Sequence, residues 1–214
     1  MKRRAAVLIS GRGSNLGALI TAAAAPDYPA EIALVLSNRA DAAGLATARA
    51  AGIPALAIPH RDFPADRAAH EAAIDAALRD ARIELVCLAG YLRVLTPLLV
   101  TRWQGQMLNI HPSLLPALPG LDTHARALAA GCALHGCTVH LVTTGLDDGP
   151  ILAQAAVPVL ADDTEATLAA RVLAQEHRIY PAALAMLAGG PTPATDPATS
   201  LASFRPVPNR AEPV

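Results

Sequence analysis

Asn109, His111 and Asp147 are the residues of this 214-residue chain whose types and spacing carry the most chemistry. If residues 107–110 are a strand, Asn109 and His111 lie on one side at its exit, and Pro112 fixes the backbone just beyond. An amide donor beside an imidazole suits stabilisation of a developing oxyanion, and the imidazole can exchange a proton near neutral pH. Asp147, next to Asp148, belongs to a glycine-rich turn before Pro150. A carboxylate reaching the histidine from there would orient it and favour its charged form. Taken alone, the same residues also fit an asparagine tying down a turn, a histidine bonded to a buried carbonyl and a solvated aspartate.

A second constellation is Gly11-Arg-Gly13-Ser14-Asn15, directly after a short apolar run and before a helical stretch. Backbone N–H groups at such a helix start suit an anion, most simply a phosphate, and Ser14 and Asn15 could add side-chain bonds. Leu16 stands where a dinucleotide fingerprint wants glycine, no acidic residue ends the second strand, and the Gly-Lys-Ser/Thr of a Walker loop is missing. The alternative is a tight turn with Ser14 as helix cap. Arg93 follows a fourth apolar run and suits either an anion or solvent. Glu176 within a long helical stretch suits either a substrate hydroxyl or amine, or water. Cys132, His135, Cys137 and His140 offer four possible metal ligands, but their spacing departs from zinc patterns and alternation sends His140 to the opposite face from His135 and Cys137. No metal is expected; His140 is expected to face a pocket.

The elements that must position these groups follow from alternation. Strands are expected at 5–9, 32–36, 55–58, 85–88 and 107–110. Helices are expected from the glycine turn to Ala25, over 41–51 with Asp41 as cap and Gly52 as terminator, and over about 66–80. Val-, Ile- and Leu-rich strands separated by helices indicate a mostly parallel sheet covered on both faces. Residues 114–120 are too proline-rich for helix or central strand. Residues 134–142 and 151–157 read as an added antiparallel pair, and a long helix follows over 164–187 with Asp162 or Asp163 near its start. A catalytic domain is thus expected over 1–190, followed by a loosely packed proline-rich tail over 191–214 with a short strand near 201–204.

Hydrophobic residues make up 53% of the chain and aromatics 3%, so alanine and branched aliphatics must fill the interior. Seventeen basic against eighteen acidic residues, a net charge of −1, give no global basis for gripping nucleic acid. Three cysteines are too few for a disulfide scaffold and fit a reducing compartment, so a cytoplasmic location is expected. The apolar run at the start is too short for an export signal, and no stretch is long enough to span a membrane.

Ser10-Gly-Arg-Gly-Ser-Asn15, Leu88-Ala-Gly-Tyr-Leu-Arg93, Leu108-Asn-Ile-His-Pro-Ser-Leu-Leu-Pro116, Pro119-Gly120, residues 136–140, Leu146-Asp-Asp-Gly-Pro150 and Gln175-Glu-His-Arg-Ile-Tyr-Pro181 together resemble the phosphoribosylglycinamide formyltransferases. The likeness runs from about residue 5 to 187. It implies a Rossmann-like three-layer α/β/α formyltransferase fold and transfer of formyl from 10-formyltetrahydrofolate, a co-substrate, to the amine of glycinamide ribonucleotide. It implies that Asn109 and His111 stabilise the oxyanion and that Asp147 holds the histidine and helps remove the amine proton. Gly13, Ser14 and Asn15 would hold the phosphate, and Glu176 the ribose or glycinamide portion. The folate would enter near Leu92, Arg93, Val94 and Leu95, with Asn109, His140, Thr143, Thr144 and Asp147 also on its side. Arg67 matches a cofactor-side arginine, although the segment 60–67 carries one extra residue. Ala117 and Leu118 stand where the family often has a basic residue, and Thr144-Gly145 replaces a more acidic pair seen in some relatives.

Two related families share the central Asn-x-His signature. Methionyl-tRNA formyltransferases would be expected to add a tRNA-binding domain and basic surface, and formyltetrahydrofolate hydrolases a preceding regulatory domain; the residues read here offer neither. A folate- or phosphate-binding protein without turnover is the non-enzymatic alternative. The partners implied are a small ribonucleotide and a reduced folate, with both a monomer and a weak homodimer open.

Overall fold

The computed structural model describes residues 1–189 and the backbone of 199–201. Its sheet is built from β1 (Arg3–Ile9), β2 (Ala30–Ser37), β3 (Ala55–Ala57), β4 (Leu85–Leu88), β5 (Met107–His111), β6 (Leu134–Leu141), β7 (Ile151–Pro158) and β8 (Thr199–Leu201). The spatial order is β3-β2-β1-β4-β5-β6-β7-β8. The first five strands pair in parallel, while β5–β6, β6–β7 and β7–β8 are antiparallel. This is the expected mixed sheet. The chain winds outward from β1 to β3, then returns to β4 and continues the other way, so a crevice opens beyond the carboxyl ends of β1 and β4, where ligands of open α/β sheets bind.

Among the described residues, six α-helices flank the sheet: α1 (Ser14–Ala23), α2 (Ala43–Ala50), α3 (Arg67–Asp80), α4 (Pro97–Arg102), α5 (Thr123–Ala129) and α6 (Glu165–Leu187). One face carries α1, α2, α5 and α6 over Leu16, Leu45, Ala127, Leu168 and Ile179; the other carries α3 and α4 over Ile74, Leu78 and Leu99. Alternation along β1 explains both cores, since Val7 faces one and Leu8 the other. On α6, the fully buried Tyr180 hydroxyl lies 3.0 Å from the Leu88 carbonyl and 3.3 Å from that of Leu108, tying the helix to the end of β4 and the start of β5.

Local expectations were met unevenly. Asp66 caps α3 by accepting from the Ala69 N–H at 2.8 Å. Asp41 does not cap α2: the N-cap is Ala42, and the Asp41 carboxylate instead takes two bonds from Arg39, at 3.0 and 2.8 Å. A bidentate guanidinium outcompetes a single backbone N–H. Thr164 caps α6 through a capping box with Thr167, while Asp163 beside it binds Arg171. The short helices α4 and α5 have no counterpart in the sequence reading, because six or seven residues are too few to show a 3.6-residue period. β8 lies slightly earlier than the strand expected near 201–204, and residues 191–198 and 202–214 of the expected tail lie outside the described residues.

Candidate active site

Asn109 and His111 leave β5 on the same face, two residues apart, and the antiparallel β5–β6 register places Asn109 opposite His140 and His111 opposite Thr138. The Asn109 amide nitrogen lies 3.2 Å from His140 Nε2. The other ring nitrogen, His140 Nδ1, lies 2.9 Å from the Leu141 carbonyl and donates to it, so Nε2 carries the lone pair and accepts from Asn109. This fixes the Asn109 amide orientation and leaves its second N–H free. Burial holds the His140 pKa below the usual histidine value, against smaller upward pulls from the Leu141 carbonyl and Asp147, and keeps the ring a neutral acceptor.

His111 is 5% exposed. Its Nε2 lies 3.0 Å from the Leu118 carbonyl and its Nδ1 faces Asp147 Oδ2 at 3.5 Å. Both nitrogens therefore look at oxygen atoms, which fixes the orientation of the ring. The 3.5 Å separation is longer than a direct hydrogen bond. The remaining contacts of Asp147 are the Gly120 N–H, which donates to Oδ2 at 2.9 Å, and His140, 3.9 Å from Oδ1.

Asp147 arrives there because the loop 142–150 leaves β6 level with Met107 and folds back over β5. Its φ of 50° lies in the left-handed region, a strained choice for a residue with a side chain. Gly149 makes the fold-back possible, since a Cβ at this position would run into the Leu141 carbonyl.

At the other side of the crevice, Gly13 caps α1 with φ 71° and ψ 45°, a left-handed conformation glycine adopts without penalty. No side chain caps the helix and its first turn holds no acid, so the first-turn N–H groups are open to an anion. Ser14 is exposed as the first helical residue, not the cap. The Asn15 amide donates one of its two protons to Glu176 Oε2 at 2.7 Å, which ties its side chain to α6. Its Oδ1 is buried without a hydrogen-bond partner among the described residues. Glu176 is 7% exposed, and burial pushes its carboxyl above the ordinary range, partly offset by the Asn15 bond and the charges of His177 and His111.

Beyond β4, Leu92 and Val94 are 76% and 64% exposed, unusual for such side chains, while Leu95 packs against the α3 core. Ser10 holds this segment, accepting from the Leu92 N–H at 2.8 Å and donating to Asn38 Oδ1 at 2.6 Å. Arg67, at the start of α3, and Arg93 meet in a cleft of about 660 Å³ that His60, Arg61 and Phe63 also line. The extra residue in 60–67 thus does not remove Arg67 from the Arg93 side. Thr143 and Thr144 lie in the Asp147 loop, half-buried and exposed.

Sequence reasoning missed Arg61, Ser10, Asn38, Thr138, and the backbone of Leu118 and Gly120. Period-two spacing from His140 could have found Thr138; the backbone donors leave no trace in residue type. Of the possible zinc ligands, His140 turns to Asn109, away from the α6 core that holds Cys137, as alternation predicted, while His135 Nε2 lies 3.1 Å from His124 Nδ1. Among the described residues, no group of three His, Cys, Asp or Glu is placed to hold a metal ion.

The formyl transferase family model matches residues 3–184. The chain is 50% identical over 191 residues to the trifunctional purine biosynthetic protein adenosine-3 of Drosophila pseudoobscura pseudoobscura, covering 88% of this chain but only 14% of that protein. It is 45% identical over 184 residues to the phosphoribosylglycinamide formyltransferase of Escherichia coli (strain K12), covering 86% of each. The crystal structure of phosphoribosylglycinamide formyltransferase from Brucella melitensis superposes with a TM-score of 0.85 at 55% identity, covering 91% of this chain and all of that one.

Proposed function

Because the chain belongs to the formyl transferase family, we propose that it transfers the formyl group of 10-formyltetrahydrofolate to the primary amine of glycinamide ribonucleotide, a step of purine biosynthesis. The observation that carries the reading is the cluster of Asn109, His111, His140 and Asp147: an oriented amide, an imidazole with two facing acceptors and a carboxylate around one face of β5. The residues around it suit a reduced folate. Exposed Leu92, Val94 and Leu146 offer apolar flanks to a ring system, and the Arg67–Arg93 cleft offers cations to a glutamate carboxylate. The open start of α1 suits the ribonucleotide phosphate, and Glu176 its ribose or glycinamide portion.

In this reading the free N–H of Asn109 and the Nδ1 side of His111 donate to the oxygen that gains charge as the amine nitrogen bonds to the formyl carbon. Asp147 holds the His111 ring in place through Nδ1 and accepts the amine proton, directly or through a water. The carbon–nitrogen bond to the folate then breaks as the oxyanion collapses, and that nitrogen keeps the electron pair and takes the proton that Asp147 received, restoring the carboxylate. No covalent enzyme intermediate is needed, and holding both substrates in one crevice supplies proximity. The three free cysteines support a cytoplasmic setting. Among the described residues no helix is long and apolar enough to cross a membrane.

The test is formyl transfer from 10-formyltetrahydrofolate, followed as tetrahydrofolate formation with and without glycinamide ribonucleotide, in the wild type and in H111A. Acceptor-dependent turnover that falls by about two orders of magnitude or more in H111A is expected. Cofactor cleavage indifferent to the acceptor would move the assignment to a hydrolase, and ligand binding without turnover to a binding protein.

A further inference from the structure

His111, Thr138 and Gln154 are register partners across β5, β6 and β7, so their side chains stand on one face in a single row. The Thr138 hydroxyl is fully buried and uses its whole bonding capacity. It donates to the Ser113 carbonyl at 2.7 Å and accepts from the Leu115 N–H at 3.0 Å and from Gln154 Nε2 at 2.9 Å. The other Gln154 amide proton goes to the Leu115 carbonyl at 2.8 Å. Both polar groups of the Leu115 backbone are thereby held by side chains of the sheet.

Leu115 lies in the middle of the 112–120 loop, and the loop is internally stiff. Ser113 N donates to the His111 carbonyl at 2.9 Å, and the Ser113 hydroxyl to the Ala117 carbonyl at 2.6 Å. Its far end supplies the Leu118 carbonyl to His111 and the Gly120 N–H to Asp147. One loop thus orients both partners of the catalytic pair, and its central attachment to the sheet is Thr138 with Gln154.

We propose that Thr138 and Gln154 are positioning residues for formyl transfer, bracing the loop through which His111 and Asp147 are held in register. The idea rests on the formyltransferase reading for its kinetic consequence, but not for its geometry. A displacement of the loop by an ångström shifts both hydrogen-bond anchors together, so the effect falls on the chemical step and not on substrate capture.

Four variants test it: T138V, which keeps the shape and deletes the hydroxyl; T138S, which restores the hydroxyl; Q154L; and T138V/Q154L. Expected is a fall in kcat of roughly tenfold to a hundredfold in T138V, with both KM values within about twofold. T138S should retain most of the wild-type kcat. Q154L should fall in the same direction, and the double variant should lose about as much as T138V alone, because the two side chains act through one brace. The ring ¹⁵N signals of His111 at fixed pH, which report its contacts with Leu118 and Asp147, should change in T138V and Q154L and be retained in T138S. If T138V is too unstable to purify, the half-buried Q154L carries both measurements. A lower melting midpoint with unchanged kcat and unchanged ring signals overturns the proposal. Absence of acceptor-dependent turnover in the wild type would instead sink the functional reading, while the ring signals would still decide on the brace.

Discussion

His140 settles the hydrogen-bond direction at the centre of the site. Its Nδ1 is committed to the Leu141 carbonyl, and burial keeps the ring neutral, so the Asn109 amide can point only one way. A misoriented amide would offer an oxygen to a developing oxyanion and repel it. N109A should accordingly lower kcat by about a hundredfold, with a smaller change in KM for the folate, as is typical for loss of one oxyanion donor. Steady-state kinetics with both substrates varied checks this; a loss confined to KM would assign Asn109 to ground-state binding instead.

In the proposed mechanism, the element on which activity turns is the loop 142–150. It carries Asp147 in a left-handed conformation and turns back because Gly149 allows the chain to pass against the Leu141 carbonyl. G149A must push the loop away from β6, which separates Asp147 from His111 while leaving the sheet intact. The expected result is a fall in kcat of at least about tenfold with a melting midpoint close to wild type, read by kinetics beside thermal unfolding. A variant that is destabilised and yet fully active would show that the loop re-forms around the methyl group.

For the molecule as a whole, buried histidines set the acid limit of stability. His135, 2% exposed and 3.1 Å from His124, is pushed down from 6.5 to about 4, first by burial and then by the charges of His124 and His111. His70, His124 and His140 are also lowered, each mainly by burial. In the unfolded chain these rings titrate near 6.5, so between about 6.5 and 4 the unfolded state binds more protons than the folded one. The stability they confer is complete above about pH 6.5 and drains away as the pH falls toward 4. Melting midpoints at pH 7.5, 6 and 5 should decline in that order, and H135Q should flatten part of the decline. A midpoint independent of pH over that range would refute the argument.

The sequence by itself determined the alternation of strands and helices, the antiparallel pair and the Asn109, His111 and Asp147 candidates, because those depend on short-range periodicity and on residue types with few other uses. Its Gly149 and Gly13 also marked turns whose backbone other residues resist. Only the tertiary structure decided which partners these groups meet. Asp41 turned to Arg39 and Asn15 to Glu176, since a side chain chooses among partners that folding brings near, 161 positions away for Asn15. The Leu118 carbonyl, the Gly120 N–H and the Thr138–Gln154 row were illegible for a related reason. Backbone groups are the same in every residue, and strand register is a long-range outcome of burying both faces of the sheet at once.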